Sequence, residues 1–287
     1  MSGAVQTGWV SSAGPTVPAP APRRGRWLLA ATVAWAVLLA ALTWMSVRTD
    51  PPTVREQRSL DQAGPVVDRA VGELARAAGA AGLLELSPPR IAAGCRVTPL
   101  AEGARLRREI GVLAPPGTER AVLAGIADRL PATWQAGVGS GLNGPQLRAD
   151  AGEFVAVGGR PTVDGRVLLF VDTGCRPVGS GYRPAQPTAA GPEAAALTAA
   201  LAALGRPADA APDLVTAPCP GGGSARTVRS AGGPGPEAST DALAPLAGTT
   251  PLLDKPPVYA YRTGPVTVLA DLAPEDTRLA ATVGCPS

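Results

Sequence analysis

Four cysteines are the residues whose chemistry this sequence defines best. They are Cys95, Cys175, Cys219 and Cys285, and all four follow a long apolar stretch near the N-terminus. An even number of cysteines in an exported region favours disulfides. Zinc sites built from cysteine commonly use closely spaced Cys-x-x-Cys pairs, and this sequence contains none. We therefore expect disulfides, no metal site and no cofactor.

Carboxylates are the main remaining candidates for catalysis, because the chain contains no histidine. That absence excludes Ser-His-Asp and Cys-His catalysis. Glu153, Asp164 and Asp172 lie around one predicted hairpin, which suggests an alternative function as a carboxylate-dependent envelope hydrolase. Asp172 also opens an Asp-Thr-Gly triplet that resembles the active-site triplet of aspartic proteases. That chemistry needs two carboxylates, and Thr282 occupies the matching position in the second half. We expect no enzymatic activity.

Arginines at corresponding places in the two halves form a candidate anion-binding face. They are Arg105, Arg107 and Arg108 in the first half, and Arg226 and Arg229 in the second. Guanidinium groups suit this role because their planar donors match carboxylate and phosphate oxygens. The competing interpretation is a set of arginine–carboxylate pairs on a solvated sheet edge, which would have no binding role.

Two further patterns are weaker candidates. Tyr259 and Tyr261 share one face of a predicted strand, where they form either a contact patch or the edge of the core. Residues 139–144 match Gly-x-Gly-x-x-Gly, but a dinucleotide site needs a strand before the motif and a helix after it. A predicted helix precedes this motif and Pro145 follows it, so we expect a flexible loop.

An uncharged apolar segment at residues 27–47 is the element that positions the rest of the chain. A helix of this length spans about 31 Å, close to the hydrocarbon thickness of a bilayer. Trp27 and Trp44 lie near its two ends, where indole rings prefer the membrane interface, and Trp35 lies between them. We predict an uncleaved anchor. The alternatives are a cleaved signal peptide, which has a shorter apolar core, and a buried helix of a soluble protein.

The charges around this segment predict its orientation. Arg23, Arg24 and Arg26 precede it, whereas Arg48 follows and is partly offset by Asp50. The positive-inside rule therefore places a disordered tail, residues 1–26, in the cytoplasm. Everything after the anchor is predicted to be extracytoplasmic, beginning with a stalk at residues 48–64.

Composition limits the partners of the outer part. The three arginines before the anchor account for the net charge of +3, so the remainder is balanced and offers no nucleic-acid surface. Abundant Ala, Gly and Pro, together with a single lysine, indicate a bacterium with a GC-rich genome. The expected partners are the lipid bilayer and an envelope protein or cell-wall component.

An internal repeat predicts how the outer part is built. Each half begins with Gly-Pro and an amphipathic helix and leads through a proline-containing stretch to a cysteine. An Ala-Arg pair, a second helix and a hairpin follow, and each half ends at Gly-Cys. Of the three possible connectivities, the repeat favours Cys95–Cys175 and Cys219–Cys285. Chance similarity in an Ala-, Gly- and Pro-rich chain is the alternative explanation.

The predicted fold is α+β: one N-terminal transmembrane helix followed by two tandem modules, each an antiparallel sheet with helices on one face and one disulfide. The modules occupy residues 65–180 and 192–287, joined by a connector at 181–191. For the first module we predict helices 65–79 and 118–130, strands 90–97, 105–113, 153–157 and 167–171, and a glycine-rich loop at 135–150. For the second we predict helices 193–205 and 239–247, a short strand before Cys219, and strands 226–230, 258–262 and 266–272. Together these features predict a single-pass, membrane-anchored extracytoplasmic binding or scaffold protein of a bacterial envelope.

Overall fold

The computed structural model describes residues 24–49, 58–79, 82–162, 165–184, 191–207, 212–233, 240–248 and 250–286. They belong to two units, Met1–Thr53 and Val54–Ser287. The helices are α1 (Arg24–Thr49), α2 (Leu60–Gly79), α3 (Glu119–Arg129), α4 (Pro192–Ala203) and α5 (Ala244–Ala247). The strands are β1 (Leu83–Leu86), β2 (Arg90–Thr98), β3 (Ala101–Leu113), β4 (Gly137–Gly141), β5 (Gly144–Asp150), β6 (Ala156–Pro161), β7 (Arg166–Arg176), β8 (Asp213–Pro218), β9 (Ser224–Arg229), β10 (Leu253–Lys255), β11 (Val258–Thr263), β12 (Val266–Asp271) and β13 (Arg278–Val283).

The first unit contains the apolar helix α1. Its segment Trp27–Ser46 has a mean hydropathy of 2.0 and buries none of its side chains, so it is long and apolar enough to cross a membrane. This helix contains the predicted span of residues 27–47. Most of the predicted tail (1–23) and much of the predicted stalk (50–57) lie outside the described residues, as do the side chains of Arg23, Arg24 and Arg26.

The second unit contains two antiparallel sheets with the same strand order. The first sheet runs β2-β3-β7-β6-β5-β4, and the second runs β8-β9-β13-β12-β11-β10. Each strand of the second sheet therefore corresponds to the strand six places earlier in the chain. The helices follow the same rule, because α2 and α4 precede the first strand of each set, whereas α3 and α5 lie between its second and third strands. The two modules thus fit an internal repeat, and β1 is an addition to the first.

The two disulfides occupy corresponding positions in the two modules. Cys95 on β2 is bonded to Cys175 on β7, and Cys219 after β8 is bonded to Cys285 after β13. In each case the bond connects the first and the last strand, in chain order, of the repeated set: β2 to β7, and the end of β8 to the end of β13. The predicted connectivity is therefore confirmed.

Several elements differ from the prediction. Residues 137–150 form the hairpin β4–β5 rather than a loop, because β5 pairs with β6 and buries Leu147, which outweighs the low strand propensity of glycine. Strand β13 was not predicted, and it is the counterpart of β7. Helix α2 begins at Leu60 rather than at residue 65. Strand β6 begins only at Ala156, because Glu153 and Phe154 have positive φ angles of 53° and 59°.

The core of the first module continues into the second. Helices α2 and α3 cover one face of the first sheet, and Val215, Ala217 and Ala225 of the second sheet join the same hydrophobic cluster. At Gly72 of α2 the helix lies so close to β8 that an added Cβ would be 1.7 Å from the carbonyl oxygen of Pro218. The two modules therefore share one interior.

The second sheet is covered on both faces, in contrast to the predicted arrangement with helices on one face only. Helices α4 and α5 pack on one face and form a separate hydrophobic cluster. On the other face lie α2 and β1 of the first module, where the backbone N–H of Leu86 donates to Thr227 Oγ1 at 3.0 Å. The corresponding face of the first sheet carries exposed and half-buried side chains.

Candidate functional site: a cleft between the two modules

A cleft of about 610 Å³ lies between the two modules. Its walls come from β1, β2, β3 and β7 of the first module and from β8, β9 and β13 of the second. A smaller cavity of about 80 Å³ shares four of its charged side chains and adds Asp271. The charged residues that line the cleft are Glu85, Arg90, Arg166, Asp213, Arg229, Asp276 and Arg278.

The floor of the cleft is a network of ion pairs that crosses the module boundary. Glu85 Oε1 lies 2.9 Å from Arg229 Nε, and its Oε2 lies 4.0 Å from Arg166 Nη1. Arg166 Nη2 also lies 2.9 Å from Asp271 Oδ2. The four side chains are between 15% and 35% exposed, so the network is partly shielded from solvent. These pairs neutralise the floor and hold the modules together.

The rim of the cleft carries more exposed arginines. The Arg90 side chain is 75% exposed and lies 4.0 Å from Glu109. Arg278 is 57% exposed and pairs with Asp276. Ion pairs this exposed contribute only about 0–1 kcal/mol, so either guanidinium can exchange its carboxylate for the anion of a ligand at little cost.

The sequence-predicted arginines are not brought together at one face. Arg105 and Arg107 lie on the open face of the first sheet, 3.4 Å and 3.6 Å from the carboxylate of Asp172. Arg107 also pairs with Glu109 at 2.8 Å, and its guanidinium stands 4.1 Å from the centroid of Phe170. These contacts are arginine–carboxylate pairs on a solvated sheet.

Arg108 is buried in the shared core. Its Nη1 donates to Asp68 Oδ1 at 2.8 Å and to the Tyr182 hydroxyl at 2.9 Å, and its Nη2 donates to the carbonyl of Thr216 at 2.8 Å. Burial raises the pKa of Tyr182 well above its ordinary value. The arginine thus joins α2, β3, β8 and the start of the connector, which is a structural role.

The two arginines of β9 point in different directions. Arg226 Nε lies 2.7 Å from Glu193 Oε1, and Glu193 at the start of α4 is fully buried. Arg229 belongs to the floor of the cleft, where it pairs with Glu85. Of the predicted arginines, only Arg229 lines the cleft.

The two described carboxylates each lie beside a cation, Glu153 in a turn and Asp172 within strand β7. Glu153 Oε1 is 3.0 Å from Arg58 Nη1. Asp172 Oδ1 accepts the backbone N–H of Gly174 at 2.8 Å within strand β7, beside the register shift between β3 and β7. Neither side chain lines the cleft. Asp164 lies outside the described residues.

Tyr259 and Tyr261 lie inside the second module. They are 3% and 1% exposed, and their ring centroids are 6.2 Å apart. Burial raises the pKa of Tyr261 to about 12 and also raises that of Tyr259. Both rings belong to the hydrophobic cluster under α4 and α5, so they form core rather than a contact patch.

The residues of the cleft carry no local sequence signal. Glu85 and Arg90 lie on neighbouring strands of the first module, whereas Arg166 and Arg278 lie far from them in the sequence, and only the folded chain brings all four together. Among the described residues, no group of three or more Cys, Asp or Glu side chains is arranged to hold a metal ion.

Comparisons with known proteins add no family to this description. No protein-family model, no curated protein and no solved structure matches the chain.

Proposed function

We propose that this chain is a single-pass, membrane-anchored extracytoplasmic binding protein of a bacterial cell envelope. The cleft between its modules would bind a small polar ligand that carries a carboxylate or phosphate. Helix α1 supports the anchor, the basic leader supports a cytoplasmic N-terminus, and the two disulfides support an oxidising compartment for the outer part.

One observation carries the binding proposal: arginines from both modules converge on one cleft. Its volume of about 610 Å³ falls within the range of small-molecule sites. The floor arginines are held by Glu85 and Asp271, so they give the site its shape and electrostatic balance. The rim arginines, Arg90 and Arg278, supply donors that a ligand anion can reach.

Ligand-dependent stabilisation of the full chain in detergent micelles tests this proposal. Citrate and inorganic phosphate serve as probes, with sodium chloride of equal ionic strength as reference. A ligand that binds only the folded state raises the unfolding free energy by RT ln(1 + c/Kd), where c is its free concentration, so the rise grows with the logarithm of that concentration. We expect the double variant Arg90→Ala/Arg278→Ala to weaken the binding of the better probe by about tenfold or more.

The matched control is Arg96→Ala/Arg262→Ala, which removes two exposed arginines that do not line the cleft. It has the same net charge as the rim variant. Equal stabilisation of the two double variants by either probe would contradict binding at the rim. Failure of both probes to stabilise the unmodified chain beyond the chloride reference would contradict an anion site altogether.

The predicted orientation has its own test. Protease added to intact spheroplasts should remove a C-terminal epitope tag and spare an N-terminal one. The reverse pattern would overturn the proposed topology.

A further inference from the structure

Strand β4 is the outermost strand of the first sheet, and its outer edge has no partner strand in the described part of the chain. It is the fourth-to-last strand of its module in sequence but the last in space, so one side of its backbone faces outward. Gly137, Gly139 and Ser140 are exposed, and Leu142 in the following turn is fully exposed. An edge of this kind is a template for pairing with another chain.

The orientation of the backbone follows from the hairpin register. Gly141 pairs with Gly144 across a two-residue turn, and Ser140 stands opposite Pro145. In such a hairpin the odd-numbered glycines exchange hydrogen bonds with β5, so Val138 and Ser140 direct their N–H and C=O groups outward. Pro145 agrees with this register, because it has no N–H to offer to Ser140.

The edge of β4 lacks the usual protection. Proteins protect edge strands with charges, prolines, bulges or very short length. Strand β4 has five residues, Gly-Val-Gly-Ser-Gly, and its pairing with β5 shows no register shift. Its counterpart β10 has three residues, includes Asp254 and Lys255, and is followed by Pro256 and Pro257. The corresponding edge of the second module is therefore blocked, whereas this one is open.

The surface next to β4 is positive. A groove of about 480 Å³ on the open face of the first sheet is lined by Arg107, Arg148, Arg160 and Phe170, and no acid is among its lining residues. Arg107 is paired with Glu109 and Asp172, but within the described residues no ion pair forms at Arg148 or Arg160. The ring of Phe170 packs directly on Gly158, where an added Cβ would lie 2.3 Å from the ring.

We propose that the free edge of β4 binds an extended, acidic segment of a partner protein by strand addition. The backbone groups of Val138 and Ser140 would supply the hydrogen-bond ladder. Gly137 and Gly139 carry no side chains on the open face, so acidic side chains of the added strand can lean over β4 towards Arg148, Gln146 and the groove behind them. Adjacent strands lie about 4.8 Å apart, so Arg148 on β5 is about 10 Å from the added backbone, within the joint reach of an arginine and a glutamate.

This site extends the proposed binding function to a protein partner and uses no residue of the cleft. The test uses the full chain in detergent micelles and two short fluorescent peptides. One alternates glutamate with valine, and the other alternates lysine with valine. We expect fluorescence anisotropy to show binding of the glutamate peptide, weakened by salt, and binding of the lysine peptide at least about tenfold weaker.

Two variants locate the site. Ser140→Pro removes an outward N–H while leaving the bonds between β4 and β5, and Ser140→Ala is its control because it keeps that N–H. We expect Ser140→Pro and Arg148→Glu each to weaken the glutamate peptide by about tenfold or more, and Ser140→Ala to bind like the unmodified chain. Formation of the second disulfide, Cys219–Cys285, and an unchanged midpoint of unfolding confirm that each variant is folded.

Three results would overturn the proposal: equal binding by Ser140→Pro and Ser140→Ala, equal affinity for the two peptides, or no binding of the glutamate peptide. Light scattering tests whether the edge pairs with a second copy of this chain instead. That assignment follows if the unmodified chain is a dimer, Ser140→Pro is a monomer, and the glutamate peptide does not dissociate the dimer. The rim variant Arg90→Ala/Arg278→Ala should bind the peptide normally, so failure at the cleft and failure at β4 are distinguishable.

Discussion

The two sheets have the same topology, but the faces turned away from their own helices differ in side-chain size and charge. On the second sheet this face presents small residues, among them Ala217, Ala225, Thr227 and Thr282, and it is covered by α2 and β1. The hydroxyl groups of Thr227 and Thr282 form a hydrogen bond of 2.8 Å to each other there. Small, mostly neutral side chains let a neighbouring element approach closely, so this face became the seam between the modules.

On the first sheet the corresponding face presents arginines, acids and Phe170 instead, and no helix in the described part of the chain packs on it. Long charged side chains are costly to bury, which keeps this face in contact with solvent. Strand order alone therefore does not decide where a repeated module offers a surface. The residue types on each face decide it, and here they leave the first sheet available for a partner.

The largest expected effect comes from the disulfides. Their separations of 80 and 66 residues give about 4.5 and about 4.4 kcal/mol in the chain-entropy model, which is nearly equal. Their surroundings differ, because Cys219 is only 7% exposed within the shared core. We expect Cys219→Ala/Cys285→Ala to lower the unfolding free energy by about 1–2 kcal/mol more than Cys95→Ala/Cys175→Ala, since it also leaves a void.

Denaturant unfolding followed by far-UV circular dichroism measures this difference, because the second module contains no tryptophan. The unmodified chain, with and without reductant, is the control. Equal losses in the two double variants would show that the seam contributes nothing beyond loop closure. Two separate transitions would show that the modules fold independently.

A slightly smaller effect is expected from the ion pair beneath each sheet. Asp68→Ala leaves the guanidinium of Arg108, with a side chain only 3% exposed, without its carboxylate, which costs about 3–5 kcal/mol. Glu193→Ala leaves Arg226, whose side chain is 21% exposed and can hydrate, so we expect about 1–2 kcal/mol. Chemical denaturation of both variants compares the modules directly, and the reverse order of losses would contradict this account.

The close approach of α2 to β8 predicts a third, smaller effect. Gly72→Ala would place a methyl group 1.7 Å from a backbone oxygen, so the helix must shift, at a cost of about 1–3 kcal/mol. Gly79→Ala in the same helix meets only Leu84 Cδ2 at 3.7 Å, and helix propensity predicts a gain of up to about 1 kcal/mol. The difference in midpoint of thermal unfolding between Gly72→Ala and Gly79→Ala measures the contribution of the contact between α2 and β8. Similar shifts for both variants would mean that α2 is not packed tightly against the second module.

The smallest effect concerns alkaline pH. An unfolded tyrosine ionises near pH 10, whereas burial raises the pKa of Tyr261 to about 12. Between these values the unfolded chain releases its proton and the folded chain retains it, so stability is complete below pH 10 and is lost as the pH rises towards 12. By pH 11 this loss amounts to about 1 kcal/mol. Tyr261→Phe should flatten the slope of unfolding free energy between pH 10 and 11.5, and an unchanged slope would refute burial as the cause.

The features that the sequence predicted well are those with a strong local or repeated signal. The disulfide connectivity followed from the repeat, because each half ends at Gly-Cys. The central strand β7 followed from an uninterrupted apolar run. The hairpin β4–β5 was missed, because Gly137, Gly139 and Gly141 have low strand propensity and are held as a strand by pairing with β5, not by their own preference.

The candidate site could not be predicted for a different reason. Glu85, Arg166 and Arg278 become neighbours only when β1, β7 and β13 are packed across the module boundary. No spacing in the chain records that packing. The arginines that did stand out, such as Arg105 and Arg108, alternate on β3, so they are directed to opposite faces of one sheet.

The contact of α2 with β8 makes the two halves inseparable. A chain truncated after residue 180 would keep a complete strand order and its own disulfide, yet it would expose to water the helix surface that Val215 and Ala217 normally cover. Because the N-terminal half is synthesised first, that surface stays exposed to water until the second half has been made. The two modules therefore share one interior, and we expect neither to remain folded without the other.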